Sequence, residues 1–382
     1  MRSIARSAVD YLRPRLPNYL VFFITKRCNA RCHFCFYPIN QEEDELSLEE
    51  IAEIFDRYPH FQQVTLSGGE PYMRKGYSEL VKILHQRGGV RFLTVSSNGS
   101  MPQQIGSQID RILTDCPELH YRASLSVDHF PAEHEALREI EGLWERIRES
   151  YREMVRLKQK HPDTLLINVQ TVISSFNKDR IGEIFELISH EFPLCRKTLV
   201  LVRGDAWKPE ALDVSAEEYE SAARLWAGAS AAPGGGRGAP HALVLDAALS
   251  SNRELTLRTL RENREILPCQ AGRKFLVLDS NGDVLPCEMK EITEAVIGGS
   301  VLGNVRDHGY DLKKLLAAPE VRERIDRIQA RGCFCTYECA TNANIVYNPR
   351  VLPGTLARHV LGRRSRASGP TGRRKSDESA SD

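Results

Sequence analysis

Short apolar runs alternate with longer amphipathic stretches through the first half of the chain. The first run, LVFFIT at residues 20–25, is rich in β-branched and aromatic residues and predicts a buried strand. Helical periodicity predicts helices between the strands, including one continuous helix over residues 132–160. Because six strand–helix repeats indicate a parallel sheet and a complete barrel needs about 250 residues, we expect an α/β fold with a partial (β/α)6 barrel. The other predicted strands are at residues 63–67, 92–96, 121–127, 165–173 and 198–202.

The composition along the chain indicates where its domains, linker and tail begin and end. Residues 1–16 predict an amphipathic N-terminal helix that precedes a barrel domain at residues 17–226. Residues 227–241 are dense in Gly, Ala and Pro and predict a flexible linker. A second domain, made of a small β-hairpin plus helix, is expected at residues 242–350. The polar segment 351–382 predicts a disordered tail.

Charge and hydropathy narrow the class of protein. The 382 residues carry 52 basic and 51 acidic side chains, and a net charge of +1 indicates neither nucleic acid nor a membrane surface as the main partner. No apolar run reaches the length of a signal-peptide core or a membrane-spanning helix, so we expect a cytoplasmic protein. Ten cysteines in that compartment favour metal binding or catalysis over disulfides.

Three of these cysteines form a compact array. Cys28, Cys32 and Cys35 have the spacing C-x3-C-x2-C directly after the first predicted strand. The loop at the C-terminal end of a parallel strand is where α/β folds place their chemistry. Three thiolates can hold three irons of a [4Fe–4S] cluster and leave the fourth iron open to another ligand. A structural zinc site with His33 as the fourth ligand is the alternative.

Polar residues at the ends of the later predicted strands are candidate site residues. Gly68, Gly69 and Glu70 follow the second strand, where a glycine pair lets the backbone approach a ligand closely. The candidates on the next three strands are Ser96, Asn98, Ser126, Asp128 and Gln170. The alternative role for each of these residues is to form a turn or to cap a strand.

A second set of cysteines lies in the C-terminal part. Cys269 and Cys287 flank a predicted hairpin whose Asn281-Gly282 pair is a strong turn signal. Five cysteines are available for one [4Fe–4S] cluster, which needs four, and four cysteines are also a common structural zinc set. The other three cysteines are Cys333, Cys335 and Cys339. The ligand set that we favour omits Cys333 and consists of Cys269, Cys287, Cys335 and Cys339.

The first array and the glycine motif together resemble the signature of the radical S-adenosylmethionine (radical SAM) enzymes. An aromatic residue precedes the third cysteine in that family, as Phe34 does here. The resemblance implies that the open iron binds the amino and carboxylate groups of SAM. It also implies that Gly68, Gly69 and Glu70 receive the SAM ammonium group. The remaining SAM-pocket candidates that it implies are Ser96, Asn98, Ser126 and Gln170.

The C-terminal part resembles the SPASM/twitch extension that follows many radical SAM barrels. It shares with that extension a cysteine, a hairpin and a Gly-x4-Cys element, which Gly282 and Cys287 supply here. A full SPASM domain has more cysteines, enough for two auxiliary clusters. The resemblance therefore implies a single auxiliary [4Fe–4S] cluster in this chain.

The resemblance implies an enzyme of the oxidoreductase or natural-product and peptide-modifying type. It would cleave SAM reductively to a 5′-deoxyadenosyl radical and abstract hydrogen from a peptide or small natural-product substrate. Flavodoxin or ferredoxin would supply electrons, and the auxiliary cluster would accept an electron or ligate the substrate. We expect Asp128 to accept a proton. No separate peptide-binding domain precedes the first strand, which favours a small molecule. The alternative is a non-catalytic iron–sulfur or zinc scaffold on a degenerate barrel.

Overall fold

The structure is a computed structural model that describes residues 13, 15–41, 44–229 and 240–367. Most of the predicted N-terminal helix lies outside the described residues. The centre of the predicted linker, at residues 230–239, and the end of the predicted tail, at residues 368–382, also lie outside them.

Six parallel strands form the barrel part of one sheet, in the spatial order β6-β5-β4-β3-β2-β1. Every residue of β1, Tyr19–Thr25, is buried, as a strand covered on both faces requires. Strands that follow one another along the chain are neighbours in space, as helical crossovers produce. The predicted α/β fold is confirmed and is consistent with a partial barrel. The other strands are β2 Gln63–Gly68, β3 Phe92–Ser97, β4 His120–Ser126, β5 Leu165–Ile173 and β6 Arg196–Leu201.

Amphipathic helices connect these strands. Helix α1, Leu48–Arg57, begins with a capping box, in which the side chains of Ser47 and Glu50 each accept a hydrogen bond from the other's backbone N–H. It buries Ile51 and Phe55 in the core. The other helices of this part are α2 Tyr77–Gln86, α3 Pro102–Asp115, α4 Pro131–Arg138, α5 Leu143–Lys160, α6 Ile181–Glu191 and α7 Ala216–Ala229.

The prediction of one continuous helix over residues 132–160 is wrong, because the chain forms α4 and α5 there. Glu139 adopts a positive φ of 53° at the end of α4, and Gly142 adopts a φ of 65° just before α5. Glycine takes this left-handed conformation without a Cβ penalty, so the chain can turn. As a result the last two carbonyls of α4 reach the cysteine loop, where they accept hydrogen bonds from the backbone N–H groups of Arg31 and His33.

The predicted hairpin is present, and it extends the barrel sheet. Strand β7, Phe275–Leu278, pairs in parallel with β1, so that Tyr19 lies opposite Phe275. Strand β8, Asp283–Leu285, returns antiparallel to β7, and β9, Gly303–Asn304, pairs with β8. The cysteine-rich part is therefore joined to the barrel through backbone hydrogen bonds, which the sequence did not predict.

Helices complete the C-terminal part. The prediction of disorder from residue 351 is wrong for residues 352–367, which form a helix packed beside α8. Thr355 of that helix is buried, and its hydroxyl lies 3.5 Å from the Ser251 hydroxyl of α8. No helix in the described residues is long and apolar enough to cross a membrane. The helices are α8 Pro240–Glu262, α9 Lys290–Ile297, α10 Leu312–Ala317, α11 Pro319–Ala330, α12 Glu338–Val346 and α13 Leu352–Ala367.

An ion pair between Glu50 and Arg306 links α1 to the C-terminal part. Arg306 Nε donates a 2.7 Å hydrogen bond to Glu50 Oε1, and Tyr310 Oη donates to the same oxygen at 3.0 Å. The hydrogen bond from Arg306 is the main cause that lowers the pKa of Glu50 to about 2. Because the folded-state pKa is lowered, this stabilisation is complete above the unfolded-state pKa of about 4.3 and is lost as the pH falls toward 2.

We predict that Glu50→Gln lowers the free energy of unfolding at pH 7 by roughly 1.5–3 kcal/mol, the cost of losing hydrogen bonds to a charged group. Glutamine preserves the capping box, so the loss reports the ion pair. The variant should also lose less stability than the wild type between pH 5 and pH 3, as measured by urea unfolding. Glu53→Gln, which breaks an exposed pair with Arg57 on the same helix, is the matched control. Equal effects of the two substitutions would contradict the prediction.

Candidate active site

The cysteine loop leaves the C-terminal end of β1, as predicted. Cys28, Cys32 and Cys35 all line one cavity inside the barrel. Asn40 closes the loop, because its Oδ1 accepts a hydrogen bond from Cys28 N–H and its Nδ2 donates to the Cys28 carbonyl, both at 2.9 Å. The Trp207 N–H donates to the Cys35 carbonyl at 3.0 Å and fixes the other end of the loop. The three thiols are thus held together by contacts from two separate segments.

These thiols are poorly suited to ionise without a cation beside them. Burial, with a smaller contribution from the neighbouring cysteines, raises the pKa of Cys28 to about 12 and that of Cys32 to about 11. The thiolate is the metal-binding form, so a bound metal must supply the compensating positive charge. Three converging thiols fit a [4Fe–4S] cluster with three protein ligands. His33, the fourth ligand of the alternative zinc site, lies 3.5 Å from Glu139 instead.

Gly68 and Gly69 let the end of β2 lie directly against the cysteine loop. A Cβ on Gly69 would be 2.1 Å from the Arg27 carbonyl oxygen, and one on Gly68 would be 2.5 Å from the Thr25 carbonyl oxygen. The Gly69 N–H donates to the Thr25 carbonyl at 2.8 Å. Both glycines are therefore required by backbone packing against the loop, in addition to any approach to a ligand.

Glu70 is a buried carboxyl group on the wall of the cavity. Its Oε1 accepts a 2.9 Å hydrogen bond from the Ser97 hydroxyl, and its Oε2 accepts a 2.8 Å bond from the Asn98 N–H. Burial nevertheless raises the pKa of Glu70 to about 7. A cationic ligand group in the cavity would favour the ionised carboxylate. The site therefore suits an ammonium group.

The structure brings the other predicted SAM-pocket residues to the same cavity. Asn98 also links β3 to the cysteine loop, because its Nδ2 donates a 2.8 Å hydrogen bond to Asn29 Oδ1. Phe34 packs beneath the Arg138 guanidinium, 5.5 Å from ring centre to Cζ. The predicted residues that line the cavity are Phe34, Gly68, Gly69, Glu70, Ser96, Asn98, Ser126 and Gln170.

Asp128 does not have the position expected of a proton acceptor. Its side chain is fully buried, and its Oδ2 accepts hydrogen bonds from Arg138 Nε at 3.0 Å and Nη2 at 2.6 Å. Its Oδ1 accepts a 2.8 Å bond from the Val172 N–H, so protein groups occupy both oxygens. Asp128 itself does not line the cavity, which contradicts the expectation that it accepts a proton there. Asp128 instead holds Arg138, whose Nη1 lies 3.5 Å from Cys32 Sγ.

Four C-terminal cysteines converge on one buried point. Cys269 shares a hydrogen bond with Cys333, and the charges of Cys287 and Cys335 act on it as well. The pKa of Cys287 is raised by burial and by the nearby Cys335 and Cys333. The donor set of Cys269, Cys287, Cys333 and Cys335 therefore fits a four-thiolate [4Fe–4S] cluster.

Cys339 stands apart from this group, contrary to the ligand set favoured from the sequence. Its thiol interacts with the hydroxyls of Tyr19 and Tyr337 and with the charges of Glu288 and Arg203. It also lines the barrel cavity. The reason is helical geometry: Cys339 lies in the first turn of α12, whereas Cys333 and Cys335 precede that helix.

Another part of the cavity lining is built around Arg203, which sequence patterns did not single out as a site residue. Its Nε donates to Glu288 at 2.7 Å and its Nη1 donates to Glu338 at 3.0 Å. Its guanidinium also lies over the ring of Tyr337, 4.6 Å from the ring centre. Because Glu288 directly follows Cys287, this network joins the second cysteine set to the cavity.

We predict that Asp128→Asn destabilises the fold by about 3–5 kcal/mol, because it leaves the buried Arg138 without its counter-charge. The same change should reduce the iron retained on the first cysteine set, since Arg138 contacts Cys32. Chemical unfolding and iron analysis measure the two effects. Asp110→Asn, in a more exposed pair with Lys160, is the control. Normal stability with a loss confined to the substrate step would restore Asp128 as the proton acceptor.

Two protein-family models match the chain. The Radical SAM superfamily model matches residues 22–188, and the SPASM iron–sulfur cluster-binding domain model matches residues 269–340. These two domains imply a [4Fe–4S] cluster, SAM and auxiliary iron–sulfur cluster binding as the cofactor complement, and the two cysteine sets described above fit it.

Curated relatives match over a shorter region. GTP 3′,8-cyclase of Moorella thermoacetica is 38% identical over 88 residues, which is 22% of this chain and 27% of that protein. GTP 3′,8-cyclase of one Pseudomonas putida strain is 30% identical over 139 residues, which is 35% of this chain and 39% of that protein. The chain thus matches well under two thirds of the length of these relatives.

Solved structures match over most of the chain. SuiB of Streptococcus suis bound to S-adenosylmethionine has a TM-score of 0.54 and 14% identity, over 84% of this chain and 67% of that chain. The anSMEcpe structure with bound AdoMet and the Cp18Cys peptide has a TM-score of 0.55 and 15% identity, over 92% of this chain and 98% of that chain. At these identities the likeness establishes the fold. The family models and the shared fold together show that the chain belongs to the radical SAM superfamily and carries a C-terminal SPASM-type iron–sulfur domain.

Proposed function

We propose that this protein is a radical SAM enzyme that abstracts a hydrogen atom from a peptide or small natural-product substrate. The observation that carries the proposal is the convergence of three thiols of one loop on the cavity that Glu70 also lines. When bound, the cluster and SAM supply a 5′-deoxyadenosyl radical by one-electron cleavage. The chain's own residues hold the reactants and keep water out.

Glu70 is the proposed acceptor for the ammonium group of SAM. Its carboxyl is oriented by hydrogen bonds from Ser97 and Asn98, so little reorganisation is needed when the ligand binds. Ser126 and Gln170, on the neighbouring strands, are the proposed contacts to the rest of SAM. A flavodoxin or a ferredoxin is the proposed electron donor.

Glu288 replaces Asp128 as the proposed proton acceptor. It lines the cavity and is 6% exposed. Arg203 bridges it to Glu338, which fixes the carboxylate and accommodates the change in charge when a proton is accepted. A general base must reach the substrate, and Glu288 has the access that Asp128 lacks.

The auxiliary cluster is proposed to bind Cys269, Cys287, Cys333 and Cys335 and to accept an electron from the substrate. Its ligand Cys287 is adjacent to the proposed base, so electron and proton would leave the substrate at the same wall. Both peptide and small-molecule substrates fit this chemistry. A peptide is favoured by the bound peptide in the solved anSMEcpe relative, and a small molecule by the names of the curated GTP 3′,8-cyclases.

A non-catalytic iron–sulfur or zinc scaffold is the competing function. A single zinc ion needs its sulfur ligands about 2.3 Å from one point. Among the described residues, no group of three or more His, Cys, Asp or Glu side chains is arranged to hold a single metal ion. A cubane distributes its thiolate ligands over separate irons, so it does not require the sulfurs of either cysteine set to meet at one metal ion. This geometry favours clusters over zinc.

We predict that the anaerobically reconstituted wild type contains about eight irons per chain and that a variant with Cys28, Cys32 and Cys35 all changed to Ala contains about four. Only the wild type should produce 5′-deoxyadenosine from SAM with dithionite. Iron and sulfide analysis and chromatography measure these quantities. Zinc in place of iron, or full iron without SAM cleavage, would support the scaffold function.

We predict that, in this triple-alanine background, adding Cys333→Ala removes most of the remaining four irons, because Cys333 belongs to the converging thiol group. Adding Cys339→Ala instead should leave them in place, because Cys339 contacts Tyr19 and Tyr337. Iron content and the electron paramagnetic resonance of the reduced cluster report the result. The reverse pattern would restore the ligand set favoured from the sequence.

A further inference from the structure

We propose that a second cavity, at the opposite end of β1 from the cysteine loop, binds a phosphoryl group. This cavity has a volume of about 150 Å³ and lies where the barrel meets α10 and α11. The inference goes beyond the proposed function and does not rest on it, because no residue lines both this cavity and the one beside the cysteine loop. Among the described residues, four basic and no acidic side chains line it: Arg15, Arg273, Lys313 and Arg322.

The cavity is enclosed by segments that lie far apart in the chain. Two of its basic residues precede β1 and β7, which are paired strands, and the other two belong to α10 and α11. Gly272, directly before one of them, packs against α11. Its φ is 75°, and a Cβ there would lie 2.8 Å from Ile325 Cγ1. The tertiary fold therefore builds the cavity and brings the four cations to it.

The positive charge of this lining is only partly compensated. Arg15 and Arg273 share one carboxylate, because Arg15 Nη2 lies 3.0 Å from Asp326 Oδ1 and Arg273 Nη2 lies 2.8 Å from the same oxygen. The side chains of Lys313 and Arg322 are exposed and make no hydrogen bond or ion pair in the part of the chain that the structure describes. Four positive charges against one negative charge leave a net charge of +3.

The other acidic side chains of this region do not line the cavity. Asp311 caps α10 by accepting hydrogen bonds from two backbone N–H groups, and Glu323 pairs with Arg327. Glu320 is exposed in the first turn of α11. Residues 1–14, which precede Arg15 in the sequence, contain three arginines and one aspartate, so they supply no net negative charge either. An anion from outside the chain is the natural counter-charge.

Arg273 also has a donor that no protein group uses. Its side chain is 20% exposed, yet its Nε is buried and makes no hydrogen bond among the described residues. A buried N–H group without an acceptor is unfavourable, and such groups are rare in native proteins. An oxygen of an anion beside Arg273 would provide the acceptor while Nη2 keeps its ion pair with Asp326.

A phosphoryl group matches this lining better than a carboxylate does. It carries a charge of about −1.5 to −2 at pH 7 and three strong acceptor oxygens, and the planar guanidinium of arginine is suited to binding two of them. Apolar side chains of Leu16, Leu316 and Ile325 form part of the wall and reduce the screening of the charges. The volume is below the roughly 300–1,000 Å³ of sites that enclose a whole small molecule. One phosphoryl group would therefore enter the cavity.

A bound phosphoryl group would strengthen the junction between the barrel and the C-terminal part. It would bridge the cations that precede β1 and β7 to those of α10 and α11. Helix α11 leads to Cys333, and Gln329 near its end donates a 2.9 Å hydrogen bond to the Cys269 carbonyl. The ligand would thus stabilise the helix next to the second cysteine set, far from the cysteine loop.

The test uses the reconstituted, SAM-loaded holoenzyme at low salt, titrated calorimetrically with inorganic phosphate, ADP and acetate. We expect phosphate to bind the wild type and to raise its midpoint of thermal unfolding, because a ligand of the native state stabilises that state. The double variant Lys313→Gln/Arg322→Gln should bind phosphate about tenfold or more weakly, the effect of losing charge-assisted hydrogen bonds. Arg273→Lys, which keeps the charge and lacks Nε, should also bind more weakly. Arg327→Gln, on the same helix but outside the cavity, is the control and should bind like the wild type.

Tighter binding of ADP than of phosphate would identify a nucleotide as the source of the phosphoryl group, and weaker binding of ADP would identify the free anion. Acetate that binds as tightly as phosphate, or phosphate affinity that is unchanged in the double variant, would overturn the inference. Iron content and SAM affinity, measured on the same samples, should equal those of the wild type, which separates the loss of anion binding from misfolding. A wild type that binds phosphate but does not cleave SAM with dithionite would contradict the proposed function alone.

Discussion

The backbone pairing of β1 is the constraint on which the rest of the structure depends. This strand is hydrogen-bonded to β2 on one edge and to β7 on the other, and all of its residues are buried. It delivers the cysteine loop at its C-terminal end. The neighbour on one side delivers Glu70, and the neighbour on the other side begins the hairpin that leads to Cys287. The first cysteine set therefore lines the cavity, and the second set is joined to it through Glu288, which directly follows Cys287.

The site that this pairing creates contains buried acidic groups that lack a compensating positive charge. Burial disfavours ionisation of the thiols of the first set and of the Glu70 carboxyl, as their raised pKa values indicate. Cationic ligands reverse that penalty for both groups, since iron stabilises thiolates and an ammonium group stabilises the carboxylate. Binding of the cluster and of SAM thus supplies the charge that folding leaves unbalanced. The buried Asp128 holds the guanidinium of Arg138 in place, and the positive charge of Arg138 lies next to the Cys32 thiol.

The cavity brings two sets of groups together. The first set, on the cysteine loop and at the ends of the neighbouring strands, is proposed to hold the cluster and SAM. The second set is the network of Glu288 and Glu338 around Arg203, with Cys339 beside it. A substrate that contacts both sets would meet the radical source at the first and the proposed proton acceptor at the second. The parallel register and the β1–β7 pairing together produce this arrangement.

Local patterns in the sequence determined much of this protein. The apolar runs specified the parallel strands, the C-x3-C-x2-C spacing specified a three-thiolate loop, and the Gly68-Gly69-Glu70 motif marked the neighbouring strand end. These features depend on residues close together in the chain, so their chemistry is readable without tertiary structure. The Asn281-Gly282 turn was equally local and was found.

Only the tertiary structure decided which side chains face the cavity. Asp128 follows a strand that contributes to the cavity, but its carboxylate is bound by Arg138, ten residues later and at the end of a helix whose end the sequence did not reveal. Nothing in the local sequence distinguishes Cys333 from Cys339 as a cluster ligand. They have different surroundings because α12 begins between them. Arg203 belongs to no motif. Its role follows from contacts with Glu288 and Glu338, which lie far away in the chain, and those contacts are properties of the packed structure.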